Sequence, residues 1–357
     1  MPFGIYIHIP YCMSKCRYCD FHSRGASRTV PDEYVQAVVR RLADFAPTRP
    51  DTVYFGGGTP SLLTPQQLCR LIDAADPKQD AEITLEANPE TVDLDTLQGF
   101  RTAGANRLSL GVQTAFDDSL RRLGRLHTAQ QSRQALRLAH QAGFDNISGD
   151  IMLALPSYTT QEFAQTLRLM QEEGVSHISS YLLKIEPGTS FFRTPPENLP
   201  SEDEAADFYL YSVQQLEQAG YAQYEISNFA LPQKESRHNL LYWNCDDYLG
   251  IGPAAHSCMQ GVRYAFGRDT AAFIDGTASW EKTGVCNAED YVMLQLRLNS
   301  GLDLHELSAR YGLSLASKMP FLRQCVQHGL AKIEGERVSL TPQGMLVQNA
   351  ILGQLLD

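Results

Sequence analysis

Residues 4–22 read GIYIHIPYCMSKCRYCDFH. Their opening is an alternation: Ile5, Ile7 and Ile9 interleave with Tyr6 and His8, the period of two that sends successive side chains to opposite faces of a β-strand. One face is apolar and the other carries two hydrogen-bonding rings. Tyr6 is the better candidate for ligand contact, since His8 reads equally well as a satisfied core histidine. The strand runs directly into C-x3-C-x2-C, formed by Cys12, Cys16 and Cys19. A closed metal site takes four ligands, so three thiols imply a fourth ligand from elsewhere or a metal with an open position. His22 completes a Cys3His set that zinc would accept, but zinc accounts for none of the features that follow.

Outward from this stretch, strand-like runs recur at TVYFGG (52–57), AEITLEA (81–87), NRLSLGV (106–112), NISGDIML (146–153) and HISSYLL (177–183). Helix-period segments at 32–46, 65–75, 128–142 and 160–173 lie between them, the last two stopping before Gly143 and Gly174 as helix C-termini commonly do. Six such βα units predict a parallel sheet with helical crossovers. Six is short of eight, so the expected fold class is α/β, a partial (β/α)6 TIM-like barrel. The Pro- and Gly-rich stretch EPGTSFFRTPPENLPSED then reads as a connection, followed by a helix over about 202–219. Residues 221–285 look irregular and are expected to cover the barrel's open side. From about 288 the order helix, helix, helix, hairpin, helix predicts a winged-helix-like module. The expected domains are 1–235, 236–285 and 286–357.

The formal net charge of −11 argues against nucleic-acid binding, because phosphate contacts need clustered Lys and Arg. That includes DNA binding by the C-terminal module. No stretch of eighteen apolar residues occurs, and the N-terminus lacks the basic region of a secretory signal; a cytoplasmic protein is expected. Eight cysteines are too sparse for a disulfide scaffold. Cys69, Cys245, Cys258, Cys286 and Cys325 each read as inert buried thiols.

In parallel βα folds the ligand site lies beyond the C-terminal ends of the strands. Those ends carry the cysteine loop, then GGGTP (56–60), Glu86, Gln113 and Asp150, with Lys184 and Glu186 after the sixth strand. Any one of them could be a cap or a turn. Aligned opposite a cysteine cluster, they describe one site. GGGTP lacks the GK[ST] ending of a phosphate loop, and a turn without Cβ atoms suits an ammonium held by backbone carbonyls.

YIHIPYCMSKCRYCDF, GGGTP, GVQ (111–113) and GDIMLALP (149–156) together resemble the radical SAM superfamily, in its oxygen-independent coproporphyrinogen oxidase-like branch and on the heme-chaperone side of it. The likeness spans nearly the whole chain, including a C-terminal module like that of the oxidases. It implies a 4Fe-4S cluster on Cys12, Cys16 and Cys19, with S-adenosylmethionine on the open iron. By the same resemblance Gly57, Gly58, Thr59 and Glu86 would hold the methionyl ammonium. Arg125 would pair with the carboxylate, and Tyr6 would border it. Gln113 and Asp150 would bond the ribose, Tyr18 would lie near the adenine, and Lys184 departs from the small residue that touches the nucleoside in the oxidases.

Two further departures point away from porphyrinogen decarboxylation. Phe21 stands where the oxidases have a fourth cysteine, and the chain starts three residues before the first strand, without their N-terminal extension. The stretch RHNLLYWNCDDYLGIGPAAHS (237–257) holds His238, Asn239, Tyr242 and Trp243 as H-N-x-x-Y-W, which resembles the heme-associated motif of the chaperones; His256 is a second candidate. The implied function is heme binding and transfer to an acceptor protein, such as a membrane-associated respiratory enzyme, with a reductant serving the cluster. The alternative is an anaerobic coproporphyrinogen III dehydrogenase using a 5′-deoxyadenosyl radical.

Overall fold

The structure, a computed structural model, describes residues 2–45 and 49–356. Six parallel strands open the chain: β1 (Phe3–Ile9), β2 (Thr52–Gly57), β3 (Glu82–Ala87), β4 (Arg107–Gln113), β5 (Ile147–Leu153) and β6 (His177–Leu182). They pair in sequence order, as right-handed βα crossovers dictate. Four of the connecting helices match the periodicity: Asp32–Ala43, Pro65–Ala75, Ala129–Gln141 and Thr160–Glu172. The expected end of the first, at residue 46, lies outside the described residues. Gly143 and Gly174 do follow the latter two, with φ of +90° and +66°. Two helices were not foreseen, Leu94–Ala103 and Asp117–Leu123. Both are short, and each ends at a glycine in the left-handed conformation, Gly104 and Gly124.

The segment 221–285 differs from expectation. It is not an irregular cover but six strands: β7 (Ala222–Glu225), β8 (Asn228–Ala230), β9 (Asp247–Ile251), β10 (His256–Met259), β11 (Val262–Phe266) and β12 (Trp280–Val285). They extend the sheet at both edges, giving the order β12-β11-β10-β9-β1-β2-β3-β4-β5-β6-β8-β7. The strand β9 runs parallel to β1, with Ile7 opposite Ile251, and so supplies a seventh parallel strand. Its sequence, DYLGI, carries a central glycine, which obscures the strand pattern. Gly250 is nevertheless required, because a Cβ there would lie 2.0 Å from the His256 carbonyl oxygen.

One apolar core unites this sheet and its helices, reaching from Ile5 through Phe229 to Leu249 and Phe273. The expected boundary near residue 236 therefore does not divide two cores. A second core does form beyond residue 286, from Tyr291 and Leu296 through Leu322 to Leu355. There the helices Ala288–Gln295, Leu304–Tyr311 and Met319–Gln327 precede the hairpin of β14 (Ala331–Glu334) and β15 (Arg337–Leu340), with β13 (Leu302–Asp303) at its side. That is the winged-helix order read from the sequence. No helix among the described residues is long and apolar enough to cross a membrane.

Phe100 sits fully buried in the large core, on the helix Leu94–Ala103. Replacing it with alanine leaves a cavity where a ring packed, and Phe100→Ala is expected to lower the unfolding free energy by about 3–5 kcal/mol, read from urea denaturation followed by circular dichroism.

Candidate cofactor site at the barrel mouth

The loop after β1 is fixed by backbone bonds rather than by packing. Cys12 N–H donates to the Arg24 carbonyl (2.9 Å), Arg24 N–H to Pro10 (2.8 Å), and Ser27 N–H to Cys12 (2.9 Å). The three thiols adjoin one another: Cys16 lies within the electrostatic reach of Cys12, and Cys19 within that of both. None is in a disulfide, and all three are partly exposed. Burial is the largest cause that pushes the Cys16 and Cys19 thiols up, Cys19 to about 11, so metal binding there must displace protons. Among the described residues no three His, Cys, Asp or Glu side chains gather as ligands of a single ion. A tetrahedral zinc would draw its sulfurs within about 3.8 Å of each other, given Zn–S bonds of about 2.3 Å. The donor set suits a larger centre, in which each sulfur meets its own iron.

The GGGTP turn docks on this loop. Gly58 N–H donates to the Ile9 carbonyl and Thr59 N–H to that of Tyr11, both at 2.8 Å. A Cβ on Gly58 would stand 2.6 Å from the Tyr11 carbonyl oxygen, and one on Gly57 (φ +107°) 2.3 Å from the His8 ring. The glycines thus serve first to seat the turn against β1 and the cysteine loop, a reason different from the ligand approach expected of them. Glu86 stands beneath the turn, accepting from the Tyr54 hydroxyl (2.7 Å) and from Gly57 N–H (3.2 Å). Burial, reinforced by Asp150, raises its carboxyl to about 7 despite those two bonds.

Across the mouth, Arg125 donates through Nη1 to Asn88 Oδ1 and through Nη2 to the Tyr18 hydroxyl, both at 2.8 Å. Asn88 in turn donates to Thr59 Oγ1 (3.1 Å). The Arg125 Nε is sealed from solvent without a partner, a donor suited to a ligand carboxylate. Gln113 closes the group: an added Cβ at Gly111 would lie 3.1 Å from Arg125 Nη2, Asn88 Oδ1 and Gln113 Nε2 alike. Asp150, on β5, accepts from Ser109 on β4 (3.3 Å) and faces Ser179 on β6. Tyr18, expected near an adenine, is committed to Arg125 and to the Cys16 thiol. Lys184 is turned to solvent, 81% exposed, and pairs with Glu186 at 2.7 Å.

Asn88 was not singled out in the sequence, although it links Thr59 to Arg125. It follows Glu86 by two positions, beyond the end of β3, and that position at a strand end was the available signal.

Beside this site lies a cavity of about 510 Å³, walled by Tyr6 and His8 of β1, by Phe21 and His22 after the cysteines, by Tyr242, Trp243 and Tyr248, by His256, and by Met293 of the C-terminal module. Phe21 is 62% exposed. His22 Nε2 and Trp243 Nε1 are buried without partners. His8 is not an available ligand, since its Nδ1 meets the Tyr6 hydroxyl (2.9 Å) and its Nε2 the His22 carbonyl (2.7 Å). Burial holds it down at about 4.

Expectation and structure part at His238. It is 1% exposed and absent from the cavity wall. Its Nδ1 bonds Thr52 Oγ1 and its Nε2 the Tyr242 hydroxyl, each at 2.7 Å, so neither nitrogen is offered to an iron. Asn239 lies in the first turn of its helix, its backbone N–H capped by Ser236 Oγ (3.4 Å), and is likewise outside the wall. Tyr242 and Trp243 do reach it.

Comparison with known proteins agrees with this geometry. Residues 6–170 match the model of the Radical SAM superfamily, and residues 287–347 that of the HemN C-terminal domain. The heme chaperone HemW of Bacillus subtilis (strain 168) is 34% identical, covering 98% of both chains, and that of Escherichia coli (strain K12) 36% identical, covering 98% of this chain and 97% of its own. This chain belongs to the heme chaperone HemW family. The E. coli coproporphyrinogen III oxidase HemN, described as a radical SAM enzyme, shares the fold with a TM-score of 0.83 at 24% identity, over 99% of this chain and 90% of the oxidase. This HemW-family chain thus carries a radical SAM fold with a HemN-like C-terminal domain.

Glu86 carries a pH signature. Its folded value of about 7 exceeds the unfolded carboxyl value of about 4.3. Its protonated form therefore favours the folded state fully below that lower value, and the contribution is lost as pH rises through 7. The unliganded, cluster-free protein should lose stability between pH 5 and 8, and Glu86→Gln should flatten that part of the profile in urea titrations at stepped pH.

Proposed function

We propose that the chain binds heme in the cavity beside the barrel mouth and passes it to an acceptor protein. The observation that carries this reading is the cavity itself: it is broad, edged with aromatic rings, and continuous with the loop of the three cysteines. Planar rings such as Phe21, Tyr242 and Trp243 suit the face of a porphyrin. In this reading Cys12, Cys16 and Cys19 hold a 4Fe-4S cluster, which when bound supplies one open iron for the amino and carboxylate groups of S-adenosylmethionine. Gly57, Gly58, Thr59 and ionised Glu86 receive the ammonium, while Arg125, positioned by Asn88, receives the carboxylate. Gln113 and Asp150 face the ribose hydroxyls, and Tyr6 separates this pocket from the heme cavity. The nucleoside adjusts heme exchange through that shared wall. The acceptor is a heme enzyme, of the membrane-associated respiratory class, met from the cytoplasmic side; a cellular reductant serves the cluster.

The rival reading, oxidative decarboxylation of coproporphyrinogen III, has the shared fold in its favour. Against it, Phe21 occupies the position expected of the oxidases' fourth cysteine. Anaerobically reconstituted full-length protein is expected to take up one hemin per chain in an absorbance titration. Given coproporphyrinogen III, dithionite and S-adenosylmethionine, it should form no protoporphyrinogen. Multiple turnovers in that assay, or hemin uptake no better than that of serum-free buffer, would overturn the chaperone reading.

A further inference from the structure

Five cysteines outside the N-terminal loop were expected to be inert. Cys325 is buried in the C-terminal core as expected, whereas Cys69 is only half-buried, beside Asp73 on a surface helix, and does not line the large cavity. The other three differ. Cys245 follows the helix Arg237–Trp243, in a left-handed backbone conformation (φ +52°). Cys258 lies on β10, and Cys286 comes directly after β12, tied by its N–H to the Gly261 carbonyl (2.7 Å). Though 41 positions separate the first from the last, all three line the large cavity.

Their arrangement is graded. Cys245 and Cys258 are buried, and Cys286 is partly exposed. Cys286 is thus the most open of three thiols on one wall. Arg263, the cross-strand partner of Cys258, adjoins Cys286 as well and is ion-paired with Asp290 (3.0 Å). The two neighbouring thiols and then the guanidinium pull the Cys286 thiol strongly down, while Cys245 and Cys258 are driven up. A guanidinium beside a partly exposed thiol favours the thiolate, the form that ligates metals. Donors behind a ligand orient it and tune its strength.

What such a ligand would bind follows from the number of donors. A bare cation takes three or four protein donors, whereas Cys286 is the one partly exposed thiol of the three. A heme iron brings four equatorial nitrogens of its own and needs only an axial donor. Arg268 on the same wall supplies charge suited to a propionate carboxylate, and His238, the expected ligand, is withdrawn. We propose that Cys286 is the axial ligand to the iron of a heme seated in this cavity, positioned by Cys245, Cys258 and Arg263. This rests on the heme reading above.

The test is electron paramagnetic resonance and absorbance of the ferric hemin complex of the full-length protein, with the cluster held in its oxidised state. The wild type should give the narrow low-spin spectrum of a thiolate-ligated heme. Cys286→Ser should lose it. Cys286→His should convert it to an imidazole-type spectrum, a gain that misfolding cannot imitate. Cys258→Ser, removing a donor behind the ligand, should keep the thiolate signature and weaken hemin binding about tenfold. A wild-type spectrum of imidazole or thioether type, unchanged by Cys286→Ser, assigns the iron to His256, His22 or Met293 and overturns the inference while leaving the heme reading intact. Absence of hemin binding by the wild type sinks the heme reading, and this inference with it.

Discussion

Two backbone hydrogen bonds, from Gly58 to Ile9 and from Thr59 to Tyr11, hold the barrel mouth in register. They clamp the turn after β2 to the root of the cysteine loop after β1. The clamp tolerates no side chain at Gly58, where a Cβ would meet two carbonyl oxygens, of Tyr11 and Ile9, at 2.6 and 2.7 Å. Backbone cannot swing aside as a side-chain tip can. A parallel sheet favours the clamp, because neighbouring strands end at the same level and deliver their loops side by side.

Around the clamp the polar groups are held in a poised rather than a satisfied state. Arg125 is buried beside Glu90 and bonds Asn88 and the Tyr18 hydroxyl, yet its Nε has no partner. Glu86 has two donors, yet sits near neutrality. Desolvated polar groups on two sides of one opening are costly alone, and a ligand that pairs with them offsets the cost. That complementarity explains why the pocket tolerates polar groups the core would reject. It also explains why Asn88 matters, since it fixes the guanidinium from the far side while bonding Thr59 of the turn.

Much of this was legible in the chain. The alternation around Tyr6 and His8, the three-cysteine spacing and the polar strand ends announced a parallel sheet with one site, because each follows from local periodicity. Residues that act over long sequence distances were not legible. β9 joins β1 from more than 230 positions away and carries a glycine where a strand pattern wants a side chain. Cys245, Cys258 and Cys286 each sit in an unremarkable local context, and only the folding of β9 to β12 brings them to one wall. His238 misleads for the opposite reason. Its motif is local, but its two nitrogens are claimed by Thr52, 186 positions earlier, and by Tyr242 one helical turn on.

The place of His238 bears on how heme-binding variants are to be understood. Its ring stacks on Tyr54 (5.1 Å, 27°), whose hydroxyl bonds Glu86, and it holds the hydroxyl of Tyr242 on the cavity wall. One contiguous file of side chains thus runs from the Glu86 carboxyl to the Tyr242 ring on the cavity wall. Truncating His238 to alanine would leave the Thr52 and Tyr242 hydroxyls unpartnered in a buried setting, a cost of about 1–3 kcal/mol for each group so stranded, and would free Tyr242 to leave the wall. Hemin affinity would fall without any iron–nitrogen bond having existed. Loss of binding in that variant therefore reports on the wall's integrity, and only the spectrum of the bound iron reports on its ligand. The same file gives the nucleoside pocket a physical route to the cavity, since whatever ionises Glu86 changes the hydrogen bond that orients Tyr54 beneath His238.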